Sequence, residues 1–195
     1  MEEYFKNKYK VNTARLQDWD YCWPGLYYVT ICTKDRICCL GEIKNGLVYF
    51  SEIGKIVFGE WLRTQELRPY IKLDDWIIMP NHLHGIIGIG DNDFALKNRR
   101  DTARINVLDK NDFGLNNCRD AVHRVSTGNN FGPLRPKSLS SIINNFKGAV
   151  VRNCHKNNLY FQWQNNYYEH IIRDEDDLAR IKEYIAQNPI NWEND

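Results

Sequence analysis

The sequence predicts an α+β domain built on an antiparallel sheet, and three observations predict it. Two short connections, Asn45-Gly46 and Met79-Pro80-Asn81, each join a pair of extended apolar runs, as antiparallel neighbours require. Three other stretches, starting at Ser51, Ser138 and Asp174, carry apolar residues at helical spacing behind a capping residue. The chain has 195 residues, enough for one domain with a sizeable core, so 1–195 reads as a single domain.

Composition narrows the class. Of all residues, 43% are hydrophobic and 13% aromatic, so most of the chain should fold. The 26 basic and 25 acidic residues leave a formal charge of +1, so any nucleic-acid surface must be local. No N-terminal apolar segment and no apolar run near 18 residues is present, which predicts a cytoplasmic protein without signal peptide or membrane span. The six cysteines, at 22, 32, 38, 39, 118 and 154, form no C-x-x-C pair and read as reduced thiols.

Residues 1–20 are polar and charged, with Lys6, Lys8, Lys10 and Arg15, and read as an arm. From Leu26 to Thr33 the run is aromatic and β-branched, a strand signal. Asn45-Gly46, between Ile43 and Leu47-Val48-Tyr49-Phe50, predicts a two-residue hairpin. Ser51 then caps a helix through Ile53, Ile56, Val57 and Trp61, limited by Pro69. Tyr70 to Met79 and about 82 to 89 read as paired strands. Residues 91–131 hold eight asparagines and no sustained periodicity, and read as a surface insertion.

Order returns at Ser138. Leu139, Ile142, Ile143, Phe146, Ala149, Val150 and Cys154 form the apolar stripe of a helix, with Lys147, Arg152 and Lys156 mostly away from it. Tyr160–Trp163 and Tyr168–Ile172 look extended. Between 132 and 173, six Lys or Arg face one acid, Glu169, with six aromatics interleaved: Phe146, Tyr160, Phe161, Trp163, Tyr167 and Tyr168. Such a surface suits a nucleic-acid strand, although several of these rings must belong to the core. Asp174 caps the last helix, with acids at 175–177 at the positive end of its dipole. Leu178, Ile181 and Ile185 form its buried stripe, and Pro189 ends it.

Two groupings carry candidate chemistry. His82 and His84 are two apart on a strand and share one face, a half-site for a divalent metal. The spacing is equally that of two hydrogen-bonded histidines in a sheet. Tyr184 and Asn188 are four apart and share one flank of the terminal helix. On that helix alone, Tyr184 also reads as a structural tyrosine.

Taken together, the pieces resemble the single-tyrosine HUH transposases, and within them the REP-associated tyrosine transposases. The matching stretches are Asp20-Tyr21, Tyr28-Val29-Thr30-Ile31-Cys32-Thr33, Met79-Pro80-Asn81-His82-Leu83-His84-Gly85, Phe146-Lys147, Tyr168 to Asp174, and Tyr184-Ile185 with Asn188-Pro189 and Trp192. The resemblance spans almost the whole chain outside 91–131. It implies a ferredoxin-like antiparallel sheet with helices on one face, the HUH endonuclease fold. It also implies cleavage and rejoining of single-stranded DNA, usually beside a hairpin. The family's metal-binding histidines fall on His82 and His84, its nucleophile on Tyr184, and its third ligand on Asn188. The best-known insertion-sequence members carry glutamine at that last position, and asparagine fits the REP-associated group better.

These residue types suit the chemistry. Two imidazoles and an amide oxygen leave positions open for phosphate on Mg²⁺ or Mn²⁺, and Mn²⁺ prefers imidazole more strongly. A tyrosine ester conserves the phosphodiester bond energy, so a 3′-OH can later reverse the attack. Candidate DNA contacts are Arg15, Lys147, Arg152 and Arg173, and the REP-like features favour a monomer over a homodimer. Two other readings compete. One is a DNA-binding protein on the same fold that does not cut. The other is a phosphoesterase with paired H-x-T or H-x-S motifs, which the residues following His123, His155 and His170 do not form.

Overall fold

The structure, a computed structural model, describes residues 19–90 and 136–192. The expected insertion at 91–131, Arg15 and nearly all of the expected arm lie outside the described residues. Strand β1 spans Gly25–Cys32 and is followed by a hairpin of β2, Gly41–Lys44, and β3, Leu47–Phe50. Helix α1, Glu52–Glu66, leads into β4, Ile71–Ile78, and β5, His82–Ile89. Helix α2, Leu139–Lys156, β6, Tyr168–Ile172, and α3, Glu175–Gln187, complete the fold.

Local chemistry accounts for the element boundaries. Asn45 and Gly46 both take positive φ (53° and 72°), the mirror-image turn whose twist matches the strands beside it. Ser51, Ser138 and Asp174 each accept a hydrogen bond from the backbone N–H three residues on, satisfying one orphan donor of α1, α2 and α3.

The main sheet has strand order β4-β5-β1-β6 and is antiparallel throughout. The β2–β3 ribbon is separate from it. Without the ribbon and α3, the order β1-α1-β4-β5-α2-β6 is the ferredoxin-like pattern that the resemblance implied. The stretch at 160–163, read as extended, joins the sheet only by a single bridge between Thr33 and Trp163. Phe161 and Trp163 turn inward to the core, and their neighbours lend only backbone bonds to the end of β1.

Side-chain alternation gives the sheet two unlike faces. On one, Tyr27, Val29, Ile31, Leu83 and Ile87 pack beneath α1 and α2. Trp61 of α1 meets Phe146 of α2 edge to face at 5.1 Å, and Phe146 meets Trp163 at 5.8 Å. Gly85 belongs here because a Cβ would lie 2.5 Å from the Trp61 ring. On the other face, Leu26, Tyr28, Ile86 and Ile172 are covered by Leu178, Ile181 and Ile185 of α3. The helices therefore do not all share one face. The apolar residues on the second face need cover, and α3 supplies it.

Candidate active site

The histidines lie on the α3 face. In the β1–β5 register Thr30 is opposite His84 and Cys32 is opposite His82. Both imidazoles are buried, and their rings meet edge to face at 4.3 Å. The ring of His82 is held at Nδ1, which donates its N–H to Asn81 Oδ1 at 2.6 Å and so leaves Nε2 with the lone pair. His84 Nδ1 lies 2.7 Å from the Tyr28 hydroxyl and 2.9 Å from the Thr30 hydroxyl. Either hydroxyl oxygen can accept from a proton on Nδ1, and that tautomer would leave Nε2 as the bare ring nitrogen. Burial, together with the neighbouring His82, pushes His84 down to about 3, so it is neutral at physiological pH.

Helix α3 brings Tyr184 over this pair. The Tyr184 ring stands edge-on to His84 at 5.3 Å and to Tyr28 at 6.5 Å, while the side chain stays 47% exposed. One turn later Asn188 is buried, and one further turn on, Trp192 lies 6.1 Å from the His82 ring. Tyr184 meets His84 and Trp192 meets His82, and Asn188 lies between those two residues in the chain. Outside the apolar stripe, α3 is tied down by Lys182 to Asp74 (2.7 Å) and by Asp177 to His170 (2.7 Å). Asp74 is free to reach Lys182 because the β4–β5 register shifts between Leu73 and Trp76.

Two atoms here test whether the set fits a metal. His84 Nε2 and Asn188 Oδ1 are buried and make no hydrogen bond, an arrangement that costs free energy unless something else binds them. Among the described residues, no three His, Cys, Asp or Glu side chains form a metal cluster, and an amide such as Asn188 is not one of those residue types. Two neutral imidazoles and an amide oxygen fit Mn²⁺ and, more weakly, Mg²⁺.

The site opens into a cleft of about 580 Å³, lined by His82, His84, Tyr184, Tyr168, Asn166 and Arg36 among others. Of the candidate DNA contacts, Lys147, Arg152 and Arg173 do not line it. Lys147 Nζ donates to the backbone carbonyls of Gln164 and Asn165, and burial pushes it down to about 8. It braces the cleft wall from behind. Arg152 is exposed on α2, which packs on the opposite sheet face, and Arg173 is exposed just before α3. Of the interleaved aromatics, Phe146, Phe161 and Trp163 are core residues, whereas Tyr160 and Tyr168 are exposed.

Sequence reasoning missed Tyr28, Thr30 and Arg36. The first two share the parity of the strand face and become visible once β1 is paired with β5. Arg36, in Lys34-Asp35-Arg36, carries no signal beyond its charge.

No protein-family model matches the chain. It is 35% identical over 184 residues to an uncharacterised protein of Haemophilus influenzae, covering 94% of this chain and 90% of that one. The solved structure of a REP-associated tyrosine transposase bound to a REP hairpin superposes with a TM-score of 0.54 at 16% identity, covering 92% of this chain and 74% of that one. Among the described residues, no helix is long and apolar enough to cross a membrane. The chain belongs to one family with the Haemophilus influenzae protein, and its fold is that of the REP-associated tyrosine transposase.

Proposed function

We propose that this protein is a transposase, a metal-dependent single-stranded DNA endonuclease and strand transferase that acts beside DNA hairpins through a 5′-phosphotyrosine intermediate. The observation that carries the reading is the meeting of the Tyr184 ring with His84 at an open cleft, with His84 Nε2 left without a hydrogen bond and Asn188, one turn after Tyr184, buried with its Oδ1 likewise unbonded. His82, His84 and Asn188 are the residues that would hold Mg²⁺ or Mn²⁺. When bound, such an ion would neutralise charge on a phosphate oxygen and orient the phosphate for in-line displacement.

The chain's own residues do the rest. Tyr184, half-exposed at the cleft, attacks phosphorus through its hydroxyl oxygen. The bond from phosphorus to the 3′ oxygen breaks, the phenol loses its proton, and the departing oxygen takes one up as a 3′-OH. The 5′ phosphate stays on Tyr184, and attack by a 3′-OH reverses the step. Tyr28 and Thr30 hold the His84 ring, and Asn81 holds His82. As the resemblance to the REP-associated group favours, we read the protein as a monomer rather than a homodimer. We read 1–195 as one such domain, with 1–20 as an arm and 91–131 as an insertion, working on cytoplasmic DNA.

The test uses a single-stranded oligonucleotide carrying a hairpin flank, labelled 3′ of the cut, with protein and Mn²⁺ on a denaturing gel. Label should travel with the protein, and Tyr184→Phe should abolish that band. Adduct formation by Tyr184→Phe would assign the nucleophile elsewhere. Cutting without any adduct would make water the nucleophile and end the transposase reading.

A further inference from the structure

The protein donor set described above is uncharged, yet a bound DNA strand brings a negative charge with every phosphate. Arg36 is the cleft-lining residue that can answer it. Its placement is built by an unusual turn. Asp35 and Arg36 take φ of 54° and 53° in succession, a left-handed conformation that residues with a Cβ adopt at a cost. The neighbouring backbone holds them there. Thr33, buried, donates its hydroxyl to the carbonyls of Ile37 (2.9 Å) and Asn81 (3.0 Å). Lys34 N–H donates to Gln162 and Leu40 N–H to Pro80. The turn is thus clamped between the strand that carries His82 and the segment that forms the cleft wall.

The register also fixes which end of the cleft Arg36 occupies. Tyr184 stands over His84 and Tyr28, whereas Arg36 follows Cys32, the residue opposite His82. The Tyr184 ring and the backbone of Arg36 therefore lie toward opposite ends of the histidine pair. The planar, permanently charged fork of arginine matches two phosphate oxygens at once.

We infer that Arg36 is a substrate-binding residue that pairs with the phosphodiester to be cut, reaching it from the side of the cleft opposite Tyr184. The inference rests on the DNA reading above but is tested partly without the chemistry. Arg36→Gly removes the guanidinium and suits the left-handed backbone, so it should fold; Arg36→Lys keeps the charge.

In a Tyr184→Phe background, binding of a single-stranded oligonucleotide is measured against salt. Arg36→Gly should weaken it about tenfold and flatten the logarithmic salt slope by about 0.7, the value for one phosphate contact on a single strand. Arg36→Lys should recover most of the slope. With Tyr184 restored, Arg36→Gly should slow cleavage about 10²-fold or more on a normal phosphodiester. The deficit should shrink on a neutral methylphosphonate at the cut site, where no charge needs an answer. Unchanged affinity and slope in Arg36→Gly would overturn the assignment, as would an equal cleavage deficit on both linkages. If the slope changes but the wild type never cuts, Arg36 stands and the endonuclease reading falls.

Discussion

The two faces of the sheet are made by the same strands and solve different problems. Beneath α1 and α2, the odd-numbered positions of β1 and β5 meet Trp61, Phe146 and Val150 in a buried core. Beneath α3, the even-numbered positions run from apolar Tyr28 and Ile86 into Thr30, His84, Cys32 and His82. The first face is closed by large rings in contact. The second is closed at one end only, and at the other keeps buried polar atoms beside a cleft. Both faces keep buried polar atoms without a hydrogen bond, the indole N–H groups of Trp61 and Trp163 on the first and His84 Nε2 on the second, but only on the second does such an atom belong to a residue lining an open cleft.

Substitutions on the two faces should therefore separate activity from stability. The largest effect expected is on cleavage: His84→Ala or His82→Ala should reduce it by about 10³-fold or more while the thermal midpoint changes little. Full activity in either variant, or in excess chelator, would remove the metal from the account. On the closed face, Phe146→Ala should do the reverse. It should cost about 3–5 kcal/mol in denaturant unfolding, because the ring touches both Trp61 and Trp163, while residual folded protein keeps its metal affinity. A cost below about 1 kcal/mol would mean that the core is not centred there.

A pH titration sharpens the same contrast. His84 is held near 3 when folded and titrates near 6.5 when unfolded. The folded state thus binds fewer protons across that interval. Stability should be complete above about pH 6.5 and fall as pH drops toward 3, with a milder slope in His84→Asn. An unchanged slope in His84→Asn would place the acid sensitivity elsewhere. The smallest effect expected is that of Asn188→Ala, about tenfold in Mn²⁺ affinity, since water can take the place of one amide oxygen. A silent Asn188→Ala would mean that the amide is not a ligand.

Much of this contrast was legible before the structure. Period-two alternation alone puts His82 and His84 on one face, and i,i+4 spacing alone puts Tyr184 and Asn188 on one flank. Ser51, Ser138, Asp174 and Asn45-Gly46 announced their caps and turn because that chemistry is local. What could not be read depends on long-range pairing. Nothing in β1 says that Tyr28 and Thr30 will stand beside His84 until β1 and β5 are aligned. Helical periodicity set Lys147 apart from the apolar stripe, but the carbonyls that bury it come from residues 164 and 165. Phe161 and Trp163 looked like a nucleic-acid platform because an aromatic residue in a basic stretch reads the same whether it faces DNA or the core. The side chosen by α3 was likewise hidden, since its stripe of Leu178, Ile181 and Ile185 fits any apolar patch.

The claim that joins these observations is that the α3 face holds one divalent ion between β5 and α3. Titration of the protein with Mn²⁺, following free ion by electron paramagnetic resonance, tests it without DNA or turnover. The account predicts one ion per chain, affinity lowered about 10²-fold or more in His84→Ala, and affinity nearly unchanged in Tyr184→Phe. Equal affinity in the wild type and His84→Ala, or no stoichiometric binding to the wild type, would contradict it.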